Sequence, residues 1–285
     1  MKYLVSILAH EKPEIVIDQI NNISKYLPDA WIVLHLHRQF AWGPPRRFRG
    51  YSDAEKVDFT KYDRVLVNPV SHRTEWGNLH HAHNANFHYA ATQIDFDYFL
   101  LHSSSDLFVR KGASEYIDQW DMGVSILPPQ PNWGAPMVAE ADPVFQNIMK
   151  EVGAKELWTS QVEGTFYRKE VFADMLKVIE KYHRFDPKLP YIHEELYYPT
   201  IASVLTAKRG FPILLREDKT DLPKFDSTLV DKIRAGDLPD HFKTRWKLGR
   251  EVTAQVWEGK QLYAIRPIPR VLDHPLRTYI RELKD

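Results

Sequence analysis

Cysteine is absent from this 285-residue sequence, which excludes disulfides, thiolate nucleophiles and zinc sites with sulfur ligands. The lack suits a reducing compartment, so we expect a cytoplasmic protein. Long hydrophobic runs are also missing. The apolar stretch at the N-terminus is too short for a secretory signal, and no later stretch approaches the roughly 20 apolar residues that cross a bilayer. We expect a soluble chain, with peripheral contact to a membrane left open.

The sequence also lacks an excess of either charge. Its 38 Lys and Arg residues balance 38 Asp and Glu residues, which argues against a nucleic-acid partner. With 44% hydrophobic residues the chain is able to bury one large core, so we predict a single domain over 1–285. Residues 218–285 are basic and without clear periodicity, and we predict an irregular extension there. The oligomeric state is not fixed by the sequence.

Alternating strand and helix patterns predict an α/β fold with a mostly parallel sheet flanked by helices. Residues 3–8 and 31–36 are apolar and typical of buried strands, and residues 13–26 between them have helical spacing. A strand, helix and strand of this length form a parallel unit with a right-handed crossover. By contrast, residues 128–143 contain so many prolines that we predict an irregular binding loop or lid.

A strand that ends in polar residues is the first candidate for a site. The apolar run at 98–101 is followed by His102, three serines and Asp106. In open α/β sheets the carboxyl ends of the strands face the ligand crevice, so Ser104, Ser105 and Asp106 are candidates for binding a polar substrate. The alternative is a turn that leads into a helix cap.

Two adjacent carboxylates, Glu194 and Glu195, lie in an apolar stretch near Tyr191 and Tyr197. Such surroundings raise the pKa of a carboxyl group, as a general base requires. On these residues alone, one exposed and one helix-capping glutamate is an equally good interpretation.

Four histidines on one predicted helix suggest a metal site, which we weigh against polar helix residues. They are His80, His81, His83 and His88. Their spacing is not that of HExxH and no acidic ligand follows at a fixed interval, so we expect no metal.

The DFD at 95–97 precedes its strand, which favours turn residues over a metal-binding DxD. A metal-dependent hydrolase that uses His80, His83 and His102 remains the alternative function, as does a non-catalytic carbohydrate-binding protein.

Seven short segments follow one another along the chain in an order that can be compared with known families. They are LAHEKP at 8–13, LHLHR at 34–38, TEWGN at 74–78, YFLLHSSSDLF at 98–108, EGTFYRKEVF at 163–172, HEELYYPTI at 193–201 and LYAIRP at 262–267. Together they resemble the core-2/I-branching β-1,6-N-acetylglucosaminyltransferases, a family that includes xylosyltransferases.

The resemblance implies a GT-A-like fold and an inverting transfer of GlcNAc or xylose. The donor would be a UDP-sugar that acts as co-substrate, with no metal cofactor, and the acceptor a hydroxyl of an oligosaccharide or glycolipid. The family's cysteines and membrane anchor are missing, which suggests a distant bacterial member that builds surface polysaccharide in the cytoplasm or at the inner membrane.

The resemblance also implies roles for single residues. Glu195 stands five positions before Thr200, as the family's catalytic base does before its threonine. Arg266 would bind the leaving diphosphate, helped by a basic residue upstream, and 218–285 would close the donor site. Substrate contacts are implied for Asp106, Ser104, Ser105, Glu194, Trp76, Gly164 and Thr165. Nucleotide contacts are implied for His10, His35, His37, Arg245 and Arg250. His37 stands where the family has Asp, so recognition of the donor is expected to differ.

Overall fold

The computed structural model describes residues 1–10, 12–36, 57–72, 74, 77, 79–129, 133–183, 191–216, 225–237 and 261–284. Within these residues the strands are β1 Tyr3–Ala9, β2 Ala30–Leu36, β3 Val65–Val67, β4 Tyr98–Ser103, β5 Leu107–Phe108, β6 Met122–Gly123, β7 Phe166–Arg168, β8 Arg209–Gly210, β9 Leu214–Arg216 and β10 Ala264–Arg266. The α-helices are α1 Pro13–Tyr26, α2 His80–Gln93, α3 Ala113–Ile117, α4 Gly134–Ala141, α5 Pro143–Val152, α6 Lys169–Tyr182, α7 Glu194–Val204, α8 Ser227–Ala235 and α9 Pro275–Glu282.

The main sheet has the strand order β3-β2-β1-β4-β7-β6-β8. Strand β1 pairs in parallel with β2 on one side and with β4 on the other. Strand β7 is antiparallel to both of its neighbours, β4 and β6. The predicted α/β fold with a mostly parallel, helix-flanked sheet is thus confirmed, and the end of β4 lies centrally in the sheet.

Two hydrophobic layers cover the faces of this sheet because successive strand residues point to opposite sides. Leu4 of β1 and Phe99 of β4 pack into one layer, beneath α2, α6 and α7. Val5 and Leu100 pack into the other, with α1. Strand β4 is buried throughout, as its unbroken apolar run predicted.

A second sheet, of strand order β5-β10-β9, joins the C-terminal part of the chain to the main sheet. It shares a small core with α8 and α9, so the prediction that 218–285 is irregular is wrong for 227–235, 264–266 and 275–282. The helical spacing there is diluted by basic residues. One of them, Arg277, is fully buried and pairs with Asp18 of α1 at 2.5 Å, which fixes α9 against α1.

The proline-rich stretch at 128–143 is also more regular than predicted. It contains α4, and α5 begins at Pro143. Both Pro136 and Pro143 lie in the first turn of a helix, where the missing N–H has no helical partner to lose. The Asp142 side chain caps α5 by accepting a hydrogen bond of 2.9 Å from the Val144 N–H. Among the described helices, none is long and apolar enough to span a membrane.

Gly164 provides a test of the packing between the two sheets. Its φ is +82°, and an added Cβ would lie 2.2 Å from the Leu214 side chain. Gly153 has a similar φ of +74° but open space around it, so it serves as the control. We expect Gly164→Ala to lower the free energy of unfolding by about 1–3 kcal/mol more than Gly153→Ala does, since only the substitution at Gly164 adds a clash. Urea unfolding measures both, and equal losses would contradict the packing described.

Candidate functional site

Hydrogen bonds hold the side chain of Asp106 within the polar turn that follows β4. Its carboxylate accepts hydrogen bonds from the Ser103 N–H at 2.8 Å and from the Ser103 hydroxyl at 2.7 Å. His102 Nδ1 lies 3.3 Å from the same carboxylate. The side chain is only 1% exposed. Asp106 is therefore held by its own turn rather than presented to solvent.

The second sheet brings Arg266 to this carboxylate. Ile265 of β10 pairs with Leu107 of β5 in antiparallel register, so the next residue of β10 lies opposite Asp106. Arg266 Nε is 3.5 Å from Asp106 Oδ1, and Arg266 Nη1 contacts the carboxylate of Glu163. Glu163 was not singled out in the sequence as a site residue. Three distant segments thus meet at the end of β4.

The ionisation of this cluster follows from its contacts. Burial alone would raise the pKa of Asp106, but the charge of Arg266 and the hydrogen bonds from His102 and Ser103 outweigh burial and lower it. Burial would likewise lower the pKa of Arg266, yet Glu163 and Asp106 raise it. An ionised Asp106 therefore faces a protonated Arg266.

The two glutamates at the start of α7 have different surroundings. Glu194 is 2% exposed, and burial raises its pKa to about 8, with Glu195 and Glu163 adding to the effect. Its Oε2 lies 3.6 Å from His80 Nδ1. Glu195 is half-buried, and its charge adds to those of Glu163 and Asp106 in raising the pKa of Arg266. The electrostatics therefore couple Glu195 to the Arg266 cluster, whereas Glu194 contacts a histidine.

Buried amides of α1 hold the turn in place. Gln19 Nε2 donates to the carbonyls of Ser103 at 2.5 Å and Asp106 at 3.1 Å. Asn22 donates to the Phe108 carbonyl at 2.9 Å and accepts from the Phe108 N–H at 2.7 Å. Gln19 and Asn22 lie on the same buried face of α1 as its isoleucines. Polar residues at such positions are the sequence signal that could have revealed the contact between α1 and the turn.

Packing accounts for several residues for which substrate contacts were predicted. The Thr165 hydroxyl donates to the Val162 carbonyl at 2.6 Å, and Gly164 packs against Leu214. Ser105 pairs its hydroxyl with that of Ser103. The Ser104 hydroxyl is buried, with no hydrogen-bond partner among the residues that the structure describes. Substrate contacts by these residues stay predictions.

The residues predicted to bind the nucleotide are only partly described. His35 is fully buried in β2 and accepts a hydrogen bond of 2.7 Å from the His72 N–H. His10 follows β1 and is half-buried. Trp76, His37, Arg245 and Arg250 lie outside the described residues.

The histidines group differently from the alternative metal set. His83 Nδ1 lies 2.9 Å from the Ser6 hydroxyl and His102 contacts Asp106, so His80, His83 and His102 do not form the site that the hydrolase alternative required. Within the described part of the chain, the imidazoles whose nitrogens converge are those of His80, His81 and His183. Burial lowers the pKa of His80 well below its usual value and that of His81 to about 3. Both rings are therefore neutral at pH 7.

Two cavities in the described part of the chain bear on where a ligand could bind. One of 470 Å³ is lined by His80, His81 and His88 of α2 and by His183. The other, of 730 Å³, lies between Pro128 and α5, among Met149, Lys150 and Trp158. The larger cavity is lined by charged side chains of both signs, among them Glu140, Lys150 and Glu156, whereas the smaller one brings several histidines together.

No protein-family model and no curated protein matches the chain. The solved structures similar to it include the galactosyltransferase LgtC in complex with donor and acceptor sugar analogues, at 10% identity and a TM-score of 0.40, over 93% of this chain and 86% of that chain. An active-site mutant of LgtC matches at 9% identity and a TM-score of 0.39, over 84% of each chain. A likeness this low carries no argument about the activity of the present chain.

The raised pKa of Glu194 predicts a pH-dependent stability. Between its usual value of 4.5 and about 8, folded Glu194 keeps a proton that the unfolded chain releases. Its contribution to stability is thus complete below pH 4.5 and is lost as the pH rises toward 8, by at most about 1.4 kcal/mol per pH unit. Glu194→Gln removes this loss. We therefore expect the free energy of unfolding of the variant, measured with urea in EDTA, to rise relative to that of the wild type from pH 5 to pH 8.

Exposed Glu170 on α6 provides the control, since Glu170→Gln should follow the wild type across this range. A constant difference between Glu194→Gln and wild type would show that Glu194 is ionised in the folded protein.

Proposed function

We propose that this protein is an inverting glycosyltransferase that moves a sugar from a UDP-sugar to a saccharide hydroxyl without a metal ion. The observation that supports the proposal is the meeting of Asp106, Glu163 and Arg266 at the carboxyl end of β4, with Glu195 coupled to them electrostatically. Ligands of open α/β sheets bind at this edge. The residues to which the resemblance assigns the roles of base and diphosphate ligand, Glu195 and Arg266, are coupled to each other electrostatically, which supports the proposal.

In this proposal Glu195 is the general base. It is the half-exposed member of the glutamate pair, whereas Glu194 is buried and protonated. Glu195 takes the proton of the acceptor hydroxyl as the oxygen attacks the anomeric carbon. The bond to the diphosphate oxygen breaks with its electron pair, and the anomeric configuration inverts.

Arg266 supplies positive charge for the leaving diphosphate. Its guanidinium is fixed by Asp106 and Glu163, and Asp106 acts through Arg266 as a positioning residue because it is buried itself. Two carboxylates already face this one cation, and a diphosphate adds more negative charge. The proposal therefore assigns further cations, Arg245 and Arg250, to the donor.

The finer parts of the proposal come from the resemblance. A GlcNAc or xylose donor, a GT-A-like arrangement of the sheet and an oligosaccharide or glycolipid acceptor fit the branching transferases. A place in bacterial surface polysaccharide synthesis, in the cytoplasm or at the inner membrane, is the setting that the resemblance to a distant bacterial member suggests.

The proposal is tested first by ligand-induced stabilisation. UDP, UDP-GlcNAc and UDP-xylose are added to the full chain in EDTA, and separately with Mn²⁺. A donor at a hundred times its dissociation constant stabilises the fold by about 2.7 kcal/mol, which raises the melting temperature. We expect a rise for at least one UDP ligand that EDTA does not diminish. No rise with any of them would overturn the proposal.

The same donors then test the base. We expect Glu195→Gln to keep the donor-induced rise but to lower turnover onto a saccharide acceptor by about 10²- to 10⁴-fold, since general-base catalysis contributes that much. Glu170→Gln is the matched control and should turn over as the wild type does. Unchanged turnover in Glu195→Gln would exclude Glu195 as the base. Binding without any turnover by the wild type would instead identify a carbohydrate-binding protein.

A further inference from the structure

We propose that His80, His81 and His183 form a binding site for a divalent transition-metal ion of the Zn²⁺ class. The site opens into the 470 Å³ cavity between α2 and the end of α6. It is separate from the Arg266 cluster, and the proposed transfer does not require it.

The geometry of the three rings is close to that of a metal site. Their ligand nitrogens all lie within 4.8 Å of one another, and His81 Nε2 and His183 Nε2 are 3.0 Å apart. Nitrogens bound to one zinc ion at about 2.0–2.1 Å are separated by roughly 3.3 Å in a tetrahedral site. The longest of these separations would have to shorten for all three nitrogens to bind one ion.

His80 is the observation that points to a ligand. The ring is fully buried, and neither of its nitrogens has a hydrogen-bond partner among the described residues. A buried imidazole without partners costs free energy that a coordinated metal ion would recover. The Glu194 Oε2 atom, 3.6 Å from His80 Nδ1, also has no hydrogen-bond partner in the described part of the chain.

The surroundings of His183 already orient it as a ligand. Its Nδ1 lies 3.1 Å from the hydroxyl of Tyr197, and its Nε2 faces His81 Nε2 within hydrogen-bond distance. Metal-binding histidines usually engage their second nitrogen in this way, which fixes the orientation of the ring. Three imidazoles suit Zn²⁺, Co²⁺ or Ni²⁺ rather than Mg²⁺ or Ca²⁺.

The site also adjoins the start of α7. Glu194 contacts His80 on one side and is followed along the chain by Glu195. A bound ion would therefore lie next to Glu194, the residue before the proposed base. There it would hold the start of α7 and would not contact the substrate.

The test is Zn²⁺ binding to the untagged full chain after removal of metal by chelation, measured by competition with a chromophoric chelator. We expect one ion per chain. Losing an outer-shell partner of a metal site already weakens binding about 10- to 100-fold, so loss of a ligand in His81→Ala should weaken it at least about 100-fold. The control is His88→Ala, on the same helix and cavity wall, where the ring contacts Glu180 instead. It should bind within about threefold of the wild type.

A second measurement needs no variant and so does not depend on how His81→Ala folds. X-ray absorption of the Zn²⁺-loaded wild type should show three imidazole nitrogens at about 2.0 Å. Failure to bind one ion, fewer than three imidazoles in the spectrum, or equal losses in His81→Ala and His88→Ala would each overturn the proposal.

Discussion

A guanidinium held between two carboxylates joins the two sheets of this protein. Arg266 ends a strand of the small sheet, Asp106 lies in the turn after β4, and Glu163 lies in the segment that leads into β7. Burying any one of these charges alone would be costly, and removing one partner would leave another charge uncompensated. The cluster therefore fixes the C-terminal segment against the main sheet while it keeps charged groups at the edge where ligands bind.

Polar groups buried around the cluster make it rigid. Gln19 and Asn22 hold the backbone of the turn from the α1 side, and Asp18 of the same helix anchors α9 through Arg277. One helix thus supports both the turn that bears Asp106 and the C-terminal segment that delivers Arg266. The hydrophobic layers on the sheet supply most of the stability, and these hydrogen bonds determine where the charges lie.

The sequence allowed the central part of the fold to be predicted because its periodicity is strong there. The apolar runs at β1, β2 and β4 and the isoleucines of α1 each indicate one element. The C-terminal helices were missed because basic residues interrupt their apolar spacing. Helix α4 was missed because the prolines of 128–143 predicted an irregular loop, although Pro136 lies in the first turn of α4, where proline is tolerated. Both are cases in which local context overrides composition.

The site was predictable only in part. Asp106 follows a buried strand, and its position at the sheet edge could be inferred from that alone. Glu163 and His183 are single residues whose partners lie far away in the sequence, so only the folded chain reveals what they contact. The same is true of Glu194 and Glu195, which are neighbours in sequence but belong to different clusters.

The central claim, that Arg266 and Glu163 act as one unit, is tested most directly by a double-mutant cycle on stability. Arg266→Met and Glu163→Gln are made singly and together, and the free energy of unfolding is measured for each. We expect the double variant to lose less than the sum of the single losses, by at least about 1 kcal/mol. Losses that add within about 0.5 kcal/mol would show that the two residues do not interact and would contradict the account.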